Sequence, residues 1–179
     1  MTNGLVVMTP SSIAYSGTSA SINADGSVVF SACTSLSLNG VFTGDYDNYM
    51  TTIRFDTANS GTAIDVRLRS SGVDNDTANS YVHQYIFYQN TAPNAARATT
   101  NKVPFFAGTN TTKHGGTGFF FGPYLSQPTA GRSVLIYGLA GASLLDYAFT
   151  HNQTASYDGF TLFCGSAFTG LVTVFGFAQ

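Results

Sequence analysis

Apolar residues along this chain alternate with polar ones in short stretches, and almost nowhere follow the spacing of a helix. Ile64, Val66 and Leu68 interleave with Asp65, Arg67 and Arg69, which puts the two sets on opposite faces of an extended strand. The same logic predicts strands over Val28–Cys33, Ser35–Leu38, Tyr49–Phe55, Tyr81–Tyr88, Phe119–Gly122, Ser133–Tyr137, Leu145–Thr150, Gly159–Cys164 and Gly170–Phe177. Gly, Ser, Thr and Asn clusters separate them, with Asn39-Gly40 a turn signal and Ala58-Asn59-Ser60-Gly61 a strand end. About eight to ten such strands make an all-β domain, expected as an antiparallel, jelly-roll-like β-sandwich over residues 28–179. Residues 1–27, from the apolar Leu5-Val6-Val7 through Pro10-Ser11-Ser12 to a run of small residues, form either its first strands or an arm that pairs with another subunit. Between Asn90 and Gly118 large hydrophobes are scarce, so this stretch reads as a contact loop or hides a short helix.

Composition changes the picture in one respect. The chain has 179 residues, enough for one domain, and 44% of them are hydrophobic, but only 9% are charged, against about 25% in an average soluble protein. Ser, Thr, Asn and Gly must carry the polar surface. Such a surface repels its own copies weakly and suits a protein packed against neighbours. Few lysines are available to guard open sheet edges, which also points to a homo-oligomer. The net charge is −2 with no basic stripe, so nucleic-acid binding is not expected. No apolar run reaches the roughly 18 residues of a membrane helix. The first residues lack the charged and apolar regions of a secretory signal, and the expectation is synthesis and folding in the cytoplasm. Cys33 and Cys164 stand apart in strand-like segments and read as small hydrophobes.

Candidate chemistry is thin. His83, His114 and His151 show no metal-ligand spacing. No G-x-S-x-G elbow appears, and Gly115-Gly116-Thr117-Gly118 lacks the lysine and helix of a phosphate loop. Asp74-Asn75-Asp76-Thr77 is the best cation candidate, yet without a closing Glu it reads as an Asx-rich turn. The nine acids are all Asp, which weighs against a paired-carboxylate hydrolase. No catalytic residue, metal or cofactor is assigned. Phe119-Phe120-Phe121 is the densest aromatic run. Successive strand residues alternate in direction, so at least one ring, with Phe120 or its neighbours the first choice, should face away from the main core, into a second core layer or a contact with another molecule. Leu5, Val6 and Val7 are the other candidate contact residues. Tyr46, Asp47, Asn48 and Tyr49 read as a structural corner, with rings that bury, hydroxyls that find partners and turn-formers that cap the strand entry. A sugar-binding aromatic platform is the alternative.

Ser35-Leu36-Ser37-Leu38-Asn39-Gly40-Val41-Phe42, followed by Tyr46-Asp47-Asn48-Tyr49, resembles the SLNxVF…YDNY segment of tailed-bacteriophage virion surface proteins. The Ser71-Gly72-Val73-Asp74 turn and the ending Gly159-Phe160-Thr161-Leu162 with Gly170-Leu171-Val172-Thr173-Val174-Phe175-Gly176-Phe177 are similar to that group too, although Phe175 stands where Tyr is frequent. The resemblance implies a module on the particle surface with no enzymatic activity: a capsid decoration (knob) protein, or a tail-fibre tip. With no shaft in view, decoration of the head shell is the expectation. The implied partners are the phage major capsid protein and two further copies in a homotrimer, or alternatively a host surface glycan.

Overall fold

The computed structural model of the chain describes residues 4–58, 63–89, 92–107, 114–139 and 141–177. These residues form strands and no helix, every strand pair is antiparallel, and the chain is all-β. The strands are β1 (Leu5–Val7), β2 (Ser12–Ser16), β3 (Ser19–Ile22), β4 (Val28–Asn39), β5 (Asn48–Ala58), β6 (Ala63–Ser70), β7 (Val73–Asp74), β8 (Tyr81–Gln89), β9 (Ala92–Thr100), β10 (Val103–Ala107), β11 (His114–Phe121), β12 (Thr129–Leu139), β13 (Gly141–His151) and β14 (Gly159–Phe177). The main path runs β10-β6-β14-β5-β11-β12-β13-β8-β9, with β4 and β1 also on β14, β2 and β3 on β4, and β7 on β6.

Two pairs of expected strands are single long ones. Val28–Cys33 and Ser35–Leu38 join in β4, interrupted at Ala32, whose φ of 47° marks a bulge that bends the strand. The Ala32 amide donates to the Thr169 hydroxyl at 2.9 Å. Gly17 crosses directly over the bulge, where a Cβ would lie 2.4 Å from the Ala32 carbonyl oxygen. The segments Gly159–Cys164 and Gly170–Phe177 likewise join in β14. Its first part lies between β6 and β4 and its second between β5 on one side and β4, then β1, on the other, with register shifts between Phe163 and Phe168 and between Phe168 and Gly170. The Asn39-Gly40 signal does turn the chain, with Gly40 at φ 69°. The two strands it separates then fall on opposite sides of β14 instead of pairing as a hairpin.

One further expectation needs correction. The Asn90–Gly118 stretch contains β9, β10 and the start of β11; the small residues that hid them belong to an exposed edge strand and to glycines beneath aromatic rings. A Cβ at Gly118 would meet Phe105 at 2.5 Å, and one at Gly131 would meet Phe149 at 2.1 Å. Residues 4–27 fold back as β1 to β3 within the same sheet. The charged face of β6 is not left to solvent: Lys102 reaches Asp65 at 2.6 Å, and Arg67 lies over the Phe163 ring. Arg69, buried at 7% exposure, donates to Asp74 at 2.8 Å, to Thr161 at 2.6 Å and to the Gly72 carbonyl.

The core sits where the β14 bend brings β6 and β10 over β11 and β13. Phe160 stacks on Phe120 at 5.2 Å, Phe105 meets Phe120 at 5.0 Å and Phe149 at 5.3 Å, and Phe42 closes on Phe120 at 5.3 Å. A polar knot lies beside it. The Tyr81 hydroxyl accepts the Leu68 amide at 2.9 Å and donates to the Asn75 carbonyl at 3.1 Å. Asn75 Nδ2 donates to the Tyr157 hydroxyl at 2.9 Å, and that hydroxyl lies 2.6 Å from His151 Nε2. Asn75 Oδ1 accepts the Thr77 amide at 3.1 Å, so the Asp74–Thr77 segment is the Asx turn the sequence suggests.

His151 is fully buried, and burial lowers its imidazole from 6.5 to about 4 despite an opposing contribution from the Ser80 backbone. The unfolded chain therefore takes up a proton between these values that the folded chain refuses. Stability is complete above the ordinary histidine range and falls as pH drops through it, by on the order of 3 kcal/mol from this group. Burial lowers His83 in the same direction. The urea midpoint should fall between about pH 7.5 and about pH 4.5, and His151→Phe should flatten part of that slope; an unchanged slope in the variant would assign the loss to other groups.

Candidate contact surface

The corner at the entry to β5 is built from Tyr49. Its ring is fully buried against Phe42 at 4.7 Å. Its hydroxyl accepts the Thr43 amide at 2.7 Å and lies within donating distance of the Thr43 carbonyl (2.7 Å) and the Tyr46 carbonyl (2.9 Å). One hydroxyl thereby satisfies the backbone of the loop that precedes its own strand. Burial, outweighing these bonds, pushes the phenol up. Tyr46 is half-buried, with its ring laid over Gly176, where a Cβ would be 2.5 Å away. The Asp47 carbonyl accepts the Gly122 amide at 2.8 Å, and Asn48 is buried as the first residue of β5. Tyr46 and exposed Asp47 thus lead into the buried start of β5 at Asn48 and Tyr49, with no open aromatic platform at Tyr49.

The candidate contact residues separate by strand parity. Phe120 points inward and is fully buried, so it leaves the contact set; inward is where the rings of Phe42, Phe105 and Phe160 converge. Phe119 and Phe121 point outward and stack at 6.3 Å with planes 8° apart. Val6 leaves the set for the same reason of parity: it pairs with Gly176 on the side opposite Leu5 and Val7, which pair with Phe177 and Phe175. Register then assembles an apolar row across four strands, Val7–Phe175–Met50–Phe119, beside Leu5, Phe177 and Phe121. Leu5 is 54% exposed and Phe121 42%. Gly4, Leu5, Met50, Phe119 and Phe177 line a shallow depression of about 320 Å³.

The row continues along the outer face as Arg132–Ala148–Gln84–Arg97. Arg132 is committed to Asp146 through two bonds, Nε to Oδ1 at 3.0 Å and Nη2 to Oδ2 at 2.6 Å. Small Ala148 leaves shallow depressions of about 210 and 220 Å³, of mixed polar and apolar lining, between Arg132, Gln84 and Arg97. Beyond them lies a second exposed apolar group, Ile136, Leu144, Ile86 and Tyr88. Sequence reading missed Met50, Phe175, Phe177 and this second group. In Val172–Phe177 both faces are apolar, so alternation is silent, and only the register with β5 tells which residues face out.

His83, His114 and His151 are each buried, and no group of three or more His, Cys, Asp or Glu side chains converges among the described residues. Asp56, Asp65, Asp74 and Asp146 are each held by a basic side chain. Cys33 is buried and Cys164 half-buried, and they form no disulfide.

No family model and no curated protein matches the chain. Among solved structures, domain 4 of AbnA, a GH43 extracellular arabinanase from Geobacillus stearothermophilus in complex with arabinotriose, overlays with a TM-score of 0.35 at 11% identity, over 98% of this chain and 83% of that one. At that score the likeness carries no argument.

The parity of the aromatic run makes a sharp prediction. Phe120→Ala should cost about 3–5 kcal/mol, whereas Phe121→Ser should stay within about 0.5 kcal/mol of the parent in chemical denaturation. Tyr49→Phe, which keeps the ring and strands the Thr43 amide, should cost about 1–3 kcal/mol; a neutral result would mean water replaces the hydroxyl.

Proposed function

We propose that the chain is a structural protein of a bacteriophage particle, a jelly-roll-like sandwich that docks on the assembled head shell through the outer face of β14, β5 and β11. The observation that carries this reading is the convergence of Leu5, Val7, Phe175, Phe177, Met50, Phe119 and Phe121 on one exposed face, an arrangement unusual for the free surface of a monomer. The resemblance of the Ser35–Tyr49 segment to virion surface proteins supplies the partner. The work done is binding: a ligand that attaches only to the closed shell stabilises it by linkage, and repetition over the lattice turns modest single contacts into avidity. Scarcity of charge fits a surface that is covered in use.

A second reading keeps the virion and changes the partner. The shallow depressions around Ala148 combine apolar lining with Gln84, Arg97 and the Arg132–Asp146 pair, and those polar groups are the donors and acceptors a host surface glycan would use.

Quantifying this chain against the major capsid protein in purified particles separates the two. Copy numbers approaching those of the capsid lattice sites place it on the head; a handful place it at the tail and favour the glycan reading; absence from particles removes both. On the head, Leu5→Ser combined with Phe121→Ser should preserve the melting temperature and abolish binding to stripped shells. The glycan reading expects Gln84→Ala with Arg97→Ala to lower adsorption to host cells instead.

A further inference from the structure

The β9 strand pairs with β8 yet buries none of its side chains from Pro93 to Thr99. Every side chain from Pro93 to Thr99 is exposed, on both faces of the sheet, and its ladder with β8 runs unbroken from Gln89–Ala92 to Tyr81–Thr100. Among the described residues β8 is its only strand neighbour. Its far edge therefore presents a row of amides and carbonyls that no other described strand pairs. Natural proteins blunt such an edge with lysines, bulges, covering loops or very short strands. β9 is nine residues long and without a bulge, and it carries only Pro93 near its start and a single cation, Arg97. Fixing its backbone costs about 1–2 kcal/mol per residue, with no buried side chain from Pro93 to Thr99 to offset it.

We infer that β9 pairs with β9 of a second copy of this chain, antiparallel about a two-fold axis, so that the two sheets become one. The strand suits itself as partner. Its midpoint, Ala96, and the preceding Ala95 are small and uncharged. Pairing centred on Ala96 sets Arg97 opposite Ala95 instead of opposite a second Arg97, so the one charge on the strand does not oppose its copy. The chain as a whole carries a net charge of only −2, which leaves little repulsion between copies. A two-fold axis normal to the sheet keeps both outer faces on one side. The exposed row Ile136–Leu144–Tyr88–Pro93 of one copy then leads into the row of the other that ends at Phe121. The apolar groups at opposite ends of the outer face thus alternate along one continuous surface. This two-fold unit differs from the threefold arrangement that the virion resemblance implies, and it does not depend on the proposed function.

The test uses the purified chain alone. Light scattering should give a dimer. Single cysteines placed at Asn94, Ala95, Ala96, Arg97 and Ala98 in a Cys164→Ser background should form covalent dimers on mild oxidation, with one maximum and decline to either side. Ala96→Lys, an inward-pointing gatekeeper, should weaken the dimer by about tenfold or more without changing the circular dichroism or melting temperature. A monomer at every concentration, a trimer, or a dimer that ignores Ala96→Lys and shows no cross-linking maximum would each overturn the inference. Should Ala96→Lys fail to fold, hydrogen exchange of the parent decides: alternate β9 amides pointing away from β8 are protected in the dimer and exchange freely if the edge is open.

Discussion

The β14 strand has to pass from pairing with β6 to pairing with β5 while keeping β4 beside it, and its backbone polar groups must stay satisfied through the change. A straight strand cannot do this. The chain meets the requirement with coordinated irregularities: β14 shifts register between Phe163 and Gly170, and β4 bulges opposite at Ala32. The amide that the bulge frees from the ladder is taken up by the Thr169 hydroxyl, and Gly17 gives the bulged backbone room on its other side. Bulges increase bend and twist together. Here that bend turns one continuous sheet back over itself, so that Phe160 on one limb can stack against Phe120 on the other.

Once the limbs face each other, rings supply most of the largest buried side chains, and Val, Leu and Ile fill the space around them. Aromatic side chains bury a large area for few rotatable bonds, but flat rings on a pleated sheet need somewhere to lie. Gly118 and Gly131 supply that space under Phe105 and Phe149. The glycines of β11 and β12, which weaken a sequence-based strand assignment, are therefore part of the packing. The buried guanidinium of Arg69 is held by Asp74 and Thr161, because an unpartnered buried charge is costly, and buried His151 meets the Tyr157 hydroxyl.

This division explains what the sequence made legible. Alternation in Ile64–Arg69 was strong enough to give β6 its inward face, and Tyr49, beside turn-formers, pointed to a buried corner. Alternation fails in two circumstances. In β9 neither face is buried, so selection for apolar residues is absent and Ala92–Thr100 reads as loop. In Val172–Phe177 both faces are apolar, so the outward direction of Phe175 and Phe177 comes only from their cross-strand partners Met50 and Asn48. For the same reason the triple Phe run announced that its rings must part ways without saying which one turned inward. Long-range register decided it: Phe120 pairs with Tyr49, the most deeply held residue of the corner.

The outer face and the β9 edge are consequences of the same economy of charge. A sheet that shows few lysines and aspartates loses the usual means of keeping edges apart and apolar rows wet. Between the two apolar groups of the outer face stands a committed ion pair, Arg132–Asp146. A monomer so built exposes in several places surface that water hydrates poorly. Mass action then favours any state in which those places are covered together. Extending the sheet through β9 leaves the outer face free, so lateral association and docking through Phe119 and Phe121 do not compete for the same residues and can reinforce one another through avidity.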